Sequence, residues 1–122
     1  MSSYLPIAES RELSEVFEEN TAKILGESSL VYGKEITGST DIGDLSMIMP
    51  VIQPSIGGFT GSLHSKEFAV SDENTAYVSA AKILAVTSAD LLNNNAEKAK
   101  KIIAAFRPTM TKEEYINYLG GK

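Results

Sequence analysis

The chain contains no cysteine and no tryptophan, and only one histidine, His64, among its 122 residues. Without thiols there is no disulfide, no thiolate zinc site and no cysteine nucleophile, a pattern compatible with a reducing compartment. No apolar run approaches the ~20 residues that a membrane helix needs. The N-terminal MSSYLPIAES lacks the basic patch and long apolar stretch of a signal peptide. These absences lead to the expectation of a cytoplasmic protein with no membrane partner. Basic residues are also scarce, 11 Lys and Arg against 16 Asp and Glu, for a formal charge of -5. A nucleic-acid surface needs clustered Lys and Arg to release counterions. The one basic cluster, Lys98, Lys100 and Lys101, reads more simply as the solvated face of a helix, so no nucleic acid is expected.

What remains is an ordinary globular composition, 43% hydrophobic and 22% charged, in a length that suits one domain. From Ser10 to Leu25 the apolar positions Leu13, Val16, Phe17, Ile24 and Leu25 follow a helical stripe, with Ser10 as N-cap and Gly26 just past the end. Leu30, Val31, Tyr32 and Ile36 suit a short strand interrupted at Gly33. GSTDIGDLS is rich in residues that bond their own backbone, and the MIMPVIQPSI that follows it is broken by Pro50 and Pro54. A turn or short helix over Asp44 to Ile48 is expected there, then a short strand over Val51 to Gln53. GGFTGS reads as a loop, and LHSKEFAVSD as the lead into the next helix.

Asn74 to Leu92 has the strongest helical pattern, apolar nearly all round, and such a helix needs cover on more than one face. Asn95 can cap a further helix through Phe106, and Thr111 to Glu114 forms a capping box for a last helix ending at Gly120 and Gly121. Helices and short strands in this order suggest an α/β layered unit. Two or three strands are a poor sheet for so many helices, so the pattern reads as an incomplete fold.

His64 follows the glycine-rich loop rather than sitting in an apolar stripe. Taken by itself it is more readily a surface or hydrogen-bonded histidine than a ligand. Ser62 and Ser65 are near it, but there is no strand-to-helix GxSxG elbow, which argues against serine hydrolysis. Imidazole is a common zinc ligand, yet zinc wants about four ligands and the chain offers one histidine with scattered carboxylates. IGGFTGS lacks the GK[ST] or GxGxxG of a nucleotide loop. Asp41 and Asp44 suit a cation or an acid/base pair in principle, but turns of this composition are more often only turns or caps. Met47 and Met49 read as core.

Taken in order, GSTDIGDLSMIMP, a glycine-rich loop ending in His64-Ser65, the helix AAKILAVTSADLL and AEKAKK resemble the C-terminal portion of M20-family metallo-amidohydrolases and peptidases. The likeness is greatest to the aminobenzoyl-glutamate utilisation branch. Ser39, Thr40, Asp41, Gly43, Asp44 and Ser46 match that branch's segment, with Met47 in place of a tryptophan and Pro50 following. YLPIAESRELSEVFEENTAKILGE is similar to the stretch where the family's chain re-enters the catalytic domain from its lid domain. The resemblance spans nearly the whole chain and fades after about Phe106. Two positions depart from it: Leu63 stands where the branch has Gly before the histidine, and Lys66 where related branches have Pro.

The resemblance implies a partial three-layer αβα fold of the zinc-exopeptidase type, with residues 1–122 as one C-terminal segment and the lid domain and N-terminal catalytic half absent. It implies a hydrolase in which metal-activated water attacks the amide bond of an N-acyl amino acid or peptide. The cofactor would be a divalent metal, most simply zinc, with two ions in the complete enzyme. His64 would be the last metal ligand, Gly57, Gly58, Gly61 and Ser65 would lie against substrate, and Asp41 and Asp44 beside the site. No catalytic residue would be within the segment, and the chain alone would be inactive. Its exposed apolar surface would drive self-association or pairing with the N-terminal half. The competing expectation, prompted by the absence of every other ligand, is a non-catalytic binding or oligomerisation module.

Overall fold

The computed structural model describes residues 4–33 and 40–120. It is a mixed, helix-rich structure with one small two-stranded antiparallel sheet. Helix α1, Arg11–Leu25, starts where expected: the Ser10 hydroxyl accepts from the Leu13 amide at 3.4 Å, covering one of the orphan donors of the first turn. It ends at Gly26, whose φ of +88° lets its amide return to the Ala22 carbonyl at a backbone angle that a side chain would resist. A single 3₁₀ turn, Glu27–Ser29, follows.

Helix α2 is one short turn, Ile42–Ser46, within the GSTDIGDLS segment. Residues 5–8 run over it. The Leu5 amide donates to Asp44 Oδ1 at 2.8 Å and the Ala8 amide to Ser46 Oγ at 3.0 Å, while the Ser46 hydroxyl donates to the Gly43 carbonyl at 2.6 Å. Gly43 is required for this approach, because a Cβ there would overlap the Leu5 carbonyl oxygen. The same N-terminal segment grips residues 51–53: the Ser10 amide donates to the Val51 carbonyl and the Gln53 amide to Glu9 Oε1, both at 2.9 Å. At the other end of the chain, the Thr109 and Met110 amides donate to the Met47 carbonyl.

The sheet consists of β1, Phe59–Thr60, and β2, Ala69–Val70, with Phe59 opposite Val70 and Thr60 opposite Ala69. The main helix begins with a π-helical turn, Asn74–Ser79, and continues as α3, Ala80–Ala105. It is broken at 93–96, where Asn94, Asn95 and Ala96 have positive φ, so two helical pieces meet near the expected junction at Asn95. Helix α4, Lys112–Gly120, carries the capping box in full: the Thr111 amide donates to Glu114 Oε2 at 2.7 Å and the Glu114 amide to Thr111 Oγ1 at 3.2 Å.

Three sequence expectations need correction. Val51 to Gln53 forms no strand; this segment is extended, and its contacts are to Ser10 and Glu9 rather than to a neighbouring strand. Leu30 to Gly33 is likewise outside any strand, and Ile36 lies beyond the described residues. The strands that do form lie inside GGFTGS and LHSKEFAVSD, which were expected to be loop and helix lead-in. Phe-Thr and Ala-Val are short pairs whose β preference is hidden by the flanking glycines, and the stacking of Phe59 on Phe68, at 5.2 Å between ring centres, fastens the hairpin from one side.

Helix α1 packs on α3. The hydrophobic core is thin: Val16, Met47, Ala76, Ile83 and Ile102 are the buried apolar side chains among the described residues. Polar side chains share the interior. Asn20, on the face of α1 turned to α3, is fully buried and donates through Nδ2 to Asp90 Oδ2 at 3.0 Å and more weakly to Thr87 Oγ1 at 3.5 Å. Its Oδ1 accepts from Lys23 Nζ at 3.3 Å. A buried amide satisfied on both sides fixes the register of two helices more narrowly than apolar contact alone.

Candidate functional site around His64

The chain from Gly57 to Asp72 forms one local unit. Gly58 has φ +92°, and a Cβ there would come within 2.7 Å of both the Ala76 amide nitrogen and the Asp72 carbonyl oxygen. Its carbonyl accepts from the Ser71 and Asp72 amides, so the glycine turn sits directly against the start of the main helix. Asp72 caps that helix. Its carboxylate accepts from the Thr75 amide at 3.1 Å and the Thr75 hydroxyl at 2.6 Å, and these bonds, the hydroxyl's first, hold its pKa below the ordinary carboxylate value. The cap lies two residues before Asn74, and the signal for it in the sequence is an Asp, a preferred N-cap residue, just ahead of the apolar helical pattern.

Beyond β1 the chain turns at Gly61, with φ +79° and the Glu67 carbonyl where a Cβ would stand. Two successive turns then carry it back: the Ser65 amide donates to the Ser62 carbonyl and the Phe68 amide to the Ser65 carbonyl, both at 3.2 Å. The Ser65 hydroxyl also donates to the Ser62 carbonyl, at 2.8 Å. This bond makes Ser65 part of the turn, and among the described residues no serine is paired with the imidazole. His64 lies at the tip of this loop, exposed, with φ +62°. A left-handed conformation is uncommon for a residue with a Cβ, and the two flanking turns hold it there.

The expected site residues therefore fall into two groups. Gly57, Gly58, Gly61, His64 and Ser65 share the hairpin and the turn at its base. Gly58 and Gly61 each have a structural reason to be glycine; Gly57 has open space, its nearest neighbour being the Thr75 methyl at 3.9 Å. Asp41 and Asp44 belong to the α2 segment and differ from each other. Asp41 is exposed, whereas Asp44 is buried and holds the Leu5 amide. Thr40 supplies the local turn, its hydroxyl accepting from the Ile42 amide at 3.3 Å.

A metal needs several donors around one point, and the described residues contain no group of three or more His, Asp or Glu side chains able to hold one. The donor set present thus does not fit a complete zinc centre. What it offers is one imidazole on an exposed loop, free of hydrogen bonds and ion pairs among the described residues.

No protein-family model, curated protein or solved structure matches this chain.

One further polar cluster escaped the sequence reading, at the contact of α1 with α3. Asp90 accepts from Asn20 and lies 3.8 Å from Lys98 Nζ; the Asn20 bond first, then the charges of Lys98 and Lys23, lower its pKa. An Asn in the middle of a helix is usually solvent-facing, and only its position on the apolar stripe of α1 could have marked Asn20 as interior. One concave surface, about 570 Å³, lies between α1 and the segments 29–33 and 52–57, with Gly57 at one end. Its lining mixes Phe17, Ile52 and Ile56 with Glu9, Glu18 and Gln53 and has no convergent polar set.

Proposed function

We propose that this chain is the C-terminal segment of the catalytic domain of an M20-type metallo-amidohydrolase or peptidase, in which His64 supplies one ligand to a divalent-metal centre completed by residues outside these 122. The finer fold is then part of a three-layer αβα zinc-exopeptidase domain. In such a centre the metal, most simply zinc, supplies Lewis-acid activation for cleavage of an N-acyl amino-acid or peptide amide bond.

The observation that carries the reading is the combination, in the family's order, of the GSTDIGD segment, the glycine turn and His64-Ser65, with His64 raised on a braced, exposed hairpin tip. A lone, unpaired imidazole held outward suits a ligand that meets its metal across an interface. Gly58 and Gly61 position the hairpin on the helix start, and Asp44 with Ser46 anchors residues 5–8, so both motif segments have a scaffolding duty beside any role at substrate.

The test is reconstitution. The chain co-expressed with the N-terminal catalytic half of an M20-type amidohydrolase should hydrolyse an N-acyl amino acid, and His64→Asn, which keeps a residue tolerant of positive φ, should abolish turnover. The purified chain alone, supplied with zinc, should show none. Turnover by the chain alone, or full activity in His64→Asn, would overturn the assignment. The second reading, a non-catalytic binding or oligomerisation module, draws on the absence of a metal-ligand group among the described residues.

A further inference from the structure

In the turn from Ser62 to Ser65, closed by the Ser65 amide on the Ser62 carbonyl at 3.2 Å, His64 stands at the third position with φ +62°, and Leu63 before it has no positive φ. That position of a turn with one positive φ is ordinarily filled by glycine or asparagine. A histidine there needs a restraint. Packing does not supply it: Leu63 is 69% exposed, His64 is exposed, and the imidazole has no hydrogen bond or ion pair among the described residues. The exposed pair of Lys66 and Glu67, 3.8 Å apart, adds little. What closes the turn more firmly is a second bond to the same Ser62 carbonyl, from Ser65 Oγ at 2.8 Å. The Ser65 carbonyl in turn accepts from the Phe68 amide at 3.2 Å, and Phe68 stacks on Phe59. Ser65 therefore ties the turn that carries His64 to the body of the hairpin, and it is half-buried while His64 and Lys66 on either side are exposed.

We infer that Ser65 is a positioning residue for His64: its hydroxyl, by closing the Ser62–Ser65 turn a second time, holds the left-handed backbone that presents the imidazole at the tip, and it acts through His64 rather than on substrate. The conformational part of this inference belongs to the chain alone; its consequence at a metal ion rests on the amidohydrolase reading. A residue with a Cβ, once released from such a turn, relaxes to negative φ, where the backbone has more room. That change swings the Cα–Cβ bond of residue 64 and carries the ring away from its place. An imidazole that must meet a partner across an interface then loses the ordering that the closed turn had supplied beforehand. The hydroxyl is separable from the rest of the turn, because alanine at position 65 keeps the amide and carbonyl bonds and removes only the bond from Oγ. A neutral hydrogen bond of this kind corresponds to about a 2–12-fold change in the population of the presenting conformer, and the same factor passes to any equilibrium that requires it.

The experiment has two arms. In the first, NMR of the labelled full chain reads the strong amide–Hα contact within His64 that a positive φ produces. The wild type and Ser65→Thr, which keeps the hydroxyl, should show it; Ser65→Ala should lose most of it; Ser62→Ala, which keeps the accepting carbonyl, should retain it. The ring-current shifts of Phe59 and Phe68 report whether the hairpin survives, and if Ser65→Ala loses the hairpin, Ser65→Cys, with its weak thiol donor, takes its place. In the second arm, the chain paired with an M20-type N-terminal catalytic half is titrated with a zinc chelator and assayed on an N-acyl amino acid. Ser65→Ala should hold zinc about 2–12-fold more weakly and lose kcat with KM unchanged, and Ser65→Thr should restore both. A wild-type His64 signature in Ser65→Ala, equal loss of it in Ser62→Ala, or a raised KM with zinc affinity unchanged would each overturn the inference, the last by placing Ser65 on the substrate. If the wild-type assembly takes up no zinc, the amidohydrolase reading fails, and the first arm still decides whether Ser65 positions His64.

Discussion

Gly43→Ala is the most informative small change available, because it adds one methyl group at a position where the backbone of residues 5–8 already fills the space. The new Cβ would overlap the Leu5 carbonyl oxygen, and that atom belongs to the main chain, so no side-chain rotation relieves the clash. Residues 5–8 must lift. Lifting breaks the bond from the Leu5 amide to the Asp44 carboxylate and the bond from the Ala8 amide to Ser46 Oγ. A hydrogen bond to a charged group contributes about 1.5–3 kcal/mol and a neutral one about 0.5–1.5 kcal/mol, so the expected loss is roughly 2–4 kcal/mol. Against the ~5–15 kcal/mol of an ordinary domain that is a large share, and larger still with only five buried apolar side chains among the described residues. The assay is urea unfolding combined with amide hydrogen exchange. The urea midpoint should fall, and the Leu5 and Ala8 amides should lose protection while those of α1 beyond its first turn keep theirs. Unchanged midpoint and unchanged protection at Leu5 and Ala8 would refute the idea that the GSTDIGDLS segment acts as a scaffold for residues 5–8.

Other consequences follow from the same structure. Asp72, Asp90, Glu97 and Glu114 all have folded-state pKa values lowered, by bonds from Thr75, Asn20, Lys101 and Thr111 respectively. A depressed folded pKa gives stability that is present above the unfolded value, about 4, and is lost as pH falls through the folded value. Urea midpoints should thus be flat on their account between pH 7 and 5 and decline below about pH 4, with a smaller acid-side decline in Asp90→Asn; a decline centred near pH 6 would contradict this assignment. Ala96 sits at φ +58°, a conformation costing a residue with a Cβ about 1–2 kcal/mol, so Ala96→Gly should raise the urea midpoint by the equivalent of about 0.5–1 kcal/mol after the glycine's added unfolded-state entropy. A lowered midpoint would mean that the break at 93–96 is helical in solution. Thr111→Ala should leave the rest of the chain intact but fray α4, seen as lost protection confined to 112–120; equal loss across α1 would show α4 to be part of the core.

Local chemistry was legible in the sequence wherever neighbouring residues satisfy one another. Ser10 as cap, Gly26 as stop, the Thr111–Glu114 box and the break near Asn95 all depend on contacts within four residues. The hairpin was not legible, because each strand is only two residues long and glycines flank the first; its pairing depends on Phe59 meeting Phe68 nine positions later. Val51 to Gln53 has the composition of a strand but no strand beside it, and composition does not say which backbone will stand opposite. Asn20 and Asp90 were hidden because their burial is a property of two helices meeting, 70 residues apart in sequence. At the site, the sequence singled out His64 and its glycines, and the structure supplies their braced hairpin. It separates Asp44 from them in kind, as a buried anchor for the Leu5 amide.

The central claim, that His64 is one ligand of a shared metal centre, is tested most directly by the zinc content of the reconstituted assembly. After dialysis against metal-free buffer, the chain paired with an M20-type N-terminal catalytic half should retain two zinc ions per pair, His64→Asn should retain fewer, and the chain alone should retain none. Equal zinc in the wild-type and His64→Asn assemblies, or a tightly held ion in the chain alone, would contradict it.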